Sequence, residues 1–230
     1  MSPFHELLLH ALAAPRARHD LVLAGSHALW AHGLSPRTGD DLTFAVAAGT
    51  PPADVARDVA AALGEAGLEA EVAEVTERAG RVSVAATGRA CEIHLVREAL
   101  QQPPVTCGEL RVVGVEDAAG LVTCSFHDRG LVGDAADVAA LAGRFSHRDL
   151  ERLARSHDDA FSTAELLARL EFLDTCLDAA PDEAFEAHGL DERTVAAIRD
   201  LARAWVEDIK LRRVEDGDAD YDDPDVPEVD

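Results

Sequence analysis

The chain has 230 residues, enough to bury a sizeable core and to hold one domain beside a smaller one. Its hydrophobic content of 47% and charged content of 28% are ordinary for a globular protein, and no apolar run approaches the length that crosses a bilayer. The net charge of −23 argues against the basic face that nonspecific nucleic-acid binding requires, although a local Arg cluster remains compatible with one small anion.

Aromatic residues make up only 4%, so the core must be built mainly from Ala, Leu and Val. Lys210 is the one Lys among 21 basic residues, which with the abundant Ala is the composition of a GC-rich bacterial genome. Cys91, Cys107, Cys124 and Cys176 are far apart and form no CxxC pair. The N-terminal apolar run lacks a basic leader, so an amphipathic helix is expected there rather than a secretion signal. Together these point to a cytoplasmic protein with reduced thiols.

Apolar residues at helical spacing predict a first helix over 4–13 and a short buried strand over 21–24. Ser26 is placed to cap a helix over 27–32 that stops at Gly33. A strand over 41–47 and a helix over 52–66 follow, the helix carrying Val55, Val59, Ala62 and Leu63 on one stripe. Strands are expected over 68–75, 81–87 and 91–95, with Gly88 turning a hairpin, and a short one over 110–113. From Glu116 the pattern is helical, with starts at Phe145-Ser146 and Phe161-Ser162 and a long last helix over 195–211. The fold class is therefore α+β: a mixed sheet with flanking helices over 1–115, a helical part over 116–213, and an acidic tail over 214–230. That tail has nine acidic residues from Glu215 to Asp230 and no basic one, so it reads as solvated rather than as a site.

The informative stretch is Leu21 to Val46. A hydrophobic strand runs into Ala24-Gly25-Ser26, and Arg37 and Thr38 lead to a second strand, Asp41-Leu42-Thr43-Phe44. Cys91-Glu92-Ile93-His94-Leu95 is a later strand. In these features the chain resembles the AbiEii-type nucleotidyltransferases of the DNA polymerase beta-like superfamily. The resemblance covers nearly the whole chain apart from the tail, including the His127–Gly130 segment, Asp134 and Asp137. It implies a nucleotidyltransferase-like fold, a Gly-Ser turn that holds phosphates, and three carboxylates that hold Mg²⁺ for transfer from an NTP.

The chain departs from that pattern. Thr43 stands where the second Asp is expected and His94 where the third is expected. A hydroxyl cannot replace a carboxylate, and an imidazole suits Zn²⁺ better than Mg²⁺. Glu92, two residues before His94 and so on the same face, is the best substitute carboxylate. The Lys that the resemblance implies two residues after Gly120 is Val122, and the Arg implied near Gly133 is absent.

Three functional readings follow. The first is a repurposed fold that binds a small molecule and runs acid–base chemistry without a metal or other cofactor. Asp41, His94 and Glu92 are then the reacting groups, and Gly25, Ser26, His27, Arg37 and Thr43 bind the ligand. The second is a toxin-like nucleotidyltransferase using Asp41 and Glu92 with one Mg²⁺ and NTP. The third is a catalytically silent binding or regulatory protein. In the first reading the partner is a small molecule, with neither nucleic acid nor membrane involved. Trp30, Phe44 and the C-terminal helices are expected to shape the pocket, and His127 is a further candidate within it.

Overall fold

Ser2 starts the first helix, α1 (Pro3–Ala11): its Oγ accepts the His5 N–H at 3.2 Å, and Pro3 occupies a first-turn position that needs no donor. A second helix, α2 (Ala13–His19), follows at once and ends at Asp20 in a left-handed conformation, φ 51°. The computed structural model describes residues 1–86, 88–179 and 190–215, so the acidic tail beyond Glu215 lies outside the described residues. Within them the chain forms two compact units, one spanning Met1–Ala118 and the other beginning at Ala119.

The first unit is built on a seven-stranded mixed sheet. Its strands are β1 (Val22–Ala24), β2 (Leu42–Val46), β3 (Glu69–Val75), β4 (Ala79–Ala86), β5 (Arg89–Arg97), β6 (Val105–Cys107) and β7 (Leu110–Val112). Their order across the sheet is β3-β4-β5-β2-β1-β7-β6. The pairs β1–β7 and β2–β5 are parallel, and the others are antiparallel. Between β1 and β2 lies α3 (Gly25–Ala31), and between β2 and β3 lies α4 (Pro52–Glu65).

The two faces of this sheet differ, as the period-two alternation requires. Leu42 and Phe44 on β2, Val82 and Val84 on β4, and Ile93 and Leu95 on β5 are buried. Helix α4 packs against β3, β4 and β5 and contributes Val55, Ala56, Val59 and Leu63 to the core. The alternate residues Thr43, Arg81, Ser83, Glu92 and His94 are only partly buried and share the opposite, polar face. Phe44, expected to shape a pocket, is instead fully buried, because it alternates with Thr43 onto the core face.

The second unit is helical. Its elements are the later part of α5 (Val115–Arg129), α6 (Val132–Ala139), α7 (His147–Arg155), α8 (Thr163–Ala179) and α9 (Glu192–Glu215). Helix α7 opens with a reciprocal cap: Ser146 Oγ accepts the Asp149 N–H at 3.1 Å, and Asp149 Oδ2 accepts the Ser146 N–H at 3.2 Å. Ser162 likewise accepts the Glu165 N–H at 3.2 Å at the start of α8. Helix α9 buries Ile198, Leu201, Trp205 and Ile209 and is longer at both ends than its apolar pattern predicts. No helix among the described residues is long and apolar enough to cross a membrane.

One close approach in this unit is decisive. A Cβ on Gly120 in α5 would lie 2.6 Å from the Leu153 carbonyl oxygen and 2.7 Å from His157 Cδ2. Ala is favoured over Gly in a helix by about 1 kcal/mol. The clash is with backbone, which cannot swing aside, so overpacking at roughly 1–3 kcal/mol or more decides the sign. Gly120→Ala is expected to lower the urea unfolding midpoint; a higher midpoint would mean that α5 can move away from Leu153.

Candidate functional site

Gly25 turns β1 into α3. Its φ of +64° favours glycine, and an added Cβ would stand 3.3 Å from Thr43 Oγ1 on the neighbouring strand. Helix α3 begins at Gly25, two residues earlier than the sequence predicts, and has no side-chain cap. Ser26 therefore lies inside the first turn rather than capping it. Its Oγ accepts the Gly39 N–H at 2.9 Å and ties α3 to the loop that leads into β2.

The register brings the sequence-singled residues of the strands together. Ala24 pairs with Thr43, Thr43 with His94, and His94 with Arg81, giving one row across β1, β2, β5 and β4. Thr43 and His94, which stand where the resemblance implies the second and third carboxylates, are thus direct neighbours. Asp41 precedes β2 on the same face. Its Oδ1 accepts the Glu92 backbone N–H at 2.8 Å, and its Oδ2 is 3.8 Å from His94 Nε2. Both side chains reach solvent, Asp41 at 48% and His94 at 29%, so the pair is open to a ligand.

Glu92 shares this face but is engaged across to β4. Ser83 Oγ donates to its Oε1 at 2.7 Å, and Arg81 Nη1 is 3.6 Å from its Oε2. Arg81 also reaches Glu74 Oε2 at 3.2 Å. Arg81 was not singled out from the sequence; its alternation with Val82 on a two-period strand was the available signal. Arg37 lies in the α3–β2 loop, where its backbone N–H donates to Ser35 Oγ at 3.2 Å and its carbonyl accepts from that hydroxyl at 3.1 Å.

His27 is placed differently from its sequence expectation as a ligand-binding residue. It is fully buried, and its Nε2 lies 3.3 Å from His5 Nδ1. Burial, then the neighbouring His5 and the N-terminal amine, push its pKa down to about 3 against the pull of Asp41. Helix α3 carries three consecutive buried residues, His27, Ala28 and Leu29, so its apolar face is wide enough to include the imidazole. Cys91 is buried with Ile93 and Leu95 away from His94, and burial drives its thiol up to about 12, which makes it inert.

In the second unit, Val122 is buried at 3% exposure and is a core residue. His127 is also buried; its Nδ1 is 3.0 Å from Asp128 Oδ1, and its Nε2 accepts the Ser162 N–H at 3.2 Å. Asp134 is held by Arg129 through two hydrogen bonds, one of them 3.0 Å from Nε to Oδ2. Among the described residues, His127, Asp128 and Asp158 offer ligand atoms within 4.8 Å of one another, but Asp128 is exposed and nothing beyond the spacing points to an ion.

No protein-family model and no curated protein matches this chain. Solved structures do. JHP933 from Helicobacter pylori is 16% identical with a TM-score of 0.51, the match covering 93% of this chain and 95% of that one. MenT4, a nucleotidyltransferase toxin from Mycobacterium tuberculosis H37Rv, is 17% identical with a TM-score of 0.52, over 92% of this chain and 90% of its own. The Gly25-Ser26 turn and the Asp41 strand thus carried a true signal at the level of architecture: this chain has the nucleotidyltransferase fold.

Proposed function

We propose that this chain uses a nucleotidyltransferase fold to bind a small molecule on the polar face around Asp41, Thr43 and His94, without two-metal NTP chemistry. The observation that carries the reading is the β2–β5 register, which sets Thr43 beside His94. A pair of Mg²⁺ ions calls for clustered oxygen ligands, chiefly carboxylates. The donor set here is one carboxylate, Asp41, beside a hydroxyl and an imidazole. The remaining carboxylate, Glu92, accepts from Ser83 at 2.7 Å and lies 3.6 Å from Arg81, which it shares with Glu74. These residues do not fit the metal pair that the fold implies, so no step is routed through it.

What they fit is proton transfer. An imidazole beside a carboxylate acts as general base or acid, the carboxylate orienting the ring and stabilising its charged form. His94 is the proton carrier in this reading, Asp41 its partner, and Thr43 a hydrogen-bonding group for the ligand. The Gly25-Ser26 turn borders the site where Gly25 approaches Thr43, and Arg37 in the α3–β2 loop is the proposed contact for an anionic group of the ligand. Net charge keeps nucleic acid out of the partner list, and the proposed location is the cytoplasm.

A screen of small metabolites by thermal shift, followed by turnover in EDTA, tests this. Removing a general base typically costs about 10²–10⁴-fold in rate. His94→Ala is therefore expected to abolish measurable turnover while leaving the fold intact. The likeness to MenT4 favours a second reading, an active transferase using Asp41 and Glu92. Mg²⁺-dependent transfer of label from an NTP, lost in Asp41→Asn, would select it and end the first. A protein stabilised by neither metabolites nor NTP would instead be a silent binding or regulatory partner.

A further inference from the structure

Two histidines outside that proton-transfer scheme, His5 on α1 and His27 on α3, form a directed chain that ends at the peptide bearing Asp41. His5 Nε2 is 2.9 Å from the Asp40 carbonyl oxygen. A carbonyl only accepts, so in the neutral ring the His5 proton sits on Nε2 and its Nδ1 is a bare lone pair. His27 Nε2 faces that lone pair at 3.3 Å, so His27 is the donor. Its other nitrogen, Nδ1, is buried with no hydrogen bond of good geometry, and the Asp41 backbone is a further polar neighbour of the ring. The two rings meet edge to face, with centroids 4.6 Å apart and planes at 89°. His5 is 6% exposed and His27 is fully buried, so water does not compete for these bonds.

We infer that His5 is a positioning residue for Asp41, and that His27 holds His5 in the tautomer this requires. The bonded carbonyl belongs to the Asp40–Asp41 peptide, the plane from which the Asp41 side chain departs toward Glu92 N–H and His94. The N-terminal helix is thereby a working part of the site and not only a packing element. Buried second-rank bonds of this kind fix the tautomer and orientation of the groups in front of them. The inference rests on the reading of Asp41 and His94 as the reacting pair, but its test does not need their ligand.

The test is a long-range ¹H–¹⁵N spectrum of the full chain with ¹⁵N-labelled histidine, without added ligand. His5 and His27 are each expected to show a protonated Nε2 and a bare Nδ1, assigned through His5→Gln and His27→Gln. His5→Leu, which loses the donor, should displace the ring resonances of His94. His5→Gln keeps an amide donor and should restore them toward wild type. A proton on Nδ1 of His5 would overturn the inference even if His5→Leu fails to fold. So would a folded His5→Leu protein whose His94 resonances stay in place, since a merely structural role would cost stability without moving them. Failure of the small-molecule reading would leave all these spectra unchanged.

Discussion

Replacing Glu151 with Ala is expected to cost about 3–5 kcal/mol, the usual penalty for removing one partner of a buried ion pair. Glu151 on α7 is 2% exposed. Arg212 on α9 donates to both of its oxygens, Nη1 to Oε2 at 3.0 Å and Nη2 to Oε1 at 2.6 Å, and the Trp205 indole donates to Oε1 at 2.8 Å. Alanine leaves the indole N–H and most of a buried guanidinium without their acceptor. Asp208, 2.8 Å from Nη2, remains and offsets part of the loss. Against a total stability of roughly 5–15 kcal/mol, the change is a large fraction. Urea unfolding followed by Trp fluorescence reads it. Glu151→Met combined with Arg212→Met removes both charges together and should recover most of the loss, because the penalty lies in the orphaned charge and not in the pair. A double variant no better than Glu151→Ala would show that the network itself is the source of stability.

Glu151 also illustrates what the sequence conceals. In HRDLERLAR five of the nine residues are Asp, Glu or Arg, and nothing local separates Glu151 from the exposed Arg152 beside it. Its burial is set by α9, some sixty positions away, and by an indole and a guanidinium that happen to face it. Patterns carried by neighbouring residues were legible: the α4 stripe, the alternation along β4 and β5, and the Ser146 and Ser162 caps all follow from local spacing. Elements that break the usual signals were not. Helix α2 contains Pro15 in its first turn, where proline is tolerated, and ends on Asp20 instead of the glycine that commonly marks a stop. Strand β6 is three residues long and pairs only within its own hairpin, too short for any periodicity.

The site divides in the same way. Its polar row was readable, because Asp41, just before β2, and Thr43 on it are two apart and Glu92 and His94 on β5 are two apart, and such pairs in extended chain share a face. Which rows lie side by side was not readable, since register depends on the whole sheet. His5 had a signal that sequence reasoning passed over. It falls among Phe4, Leu8, Leu9 and Leu12, the residues α1 turns to the core, and a polar residue in an apolar stripe needs a partner. The partner, a carbonyl thirty-five residues on, comes only with the fold.

His27 gives the second large effect, and its sign follows from the depressed pKa. An unperturbed imidazole in the unfolded chain takes a proton near pH 6.5, whereas folded His27 holds out to about 3, chiefly because burial disfavours the cation and secondarily because His5 and the N-terminal amine repel it. Between those values the unfolded state carries the extra proton, so stability rises with pH across the window. The contribution is complete above pH 6.5 and drains away as pH falls toward 3. Its slope reaches about 1.4 kcal/mol per pH unit, and the full window is worth about 5 kcal/mol. The many carboxylates of this acidic chain also destabilise it in acid, but they are shared by wild type and variant and cancel in a difference. Urea midpoints of wild type and His27→Gln, measured from pH 7.5 down to 4, should therefore converge as pH falls, with the wild type losing stability faster. His27→Gln starts lower at pH 7.5, because the glutamine does not fill the ring's place, and the gap closes in acid. Parallel curves would mean that His27 picks up its proton in the folded state as readily as in the unfolded one, through an opening of α1 that lets water reach the ring.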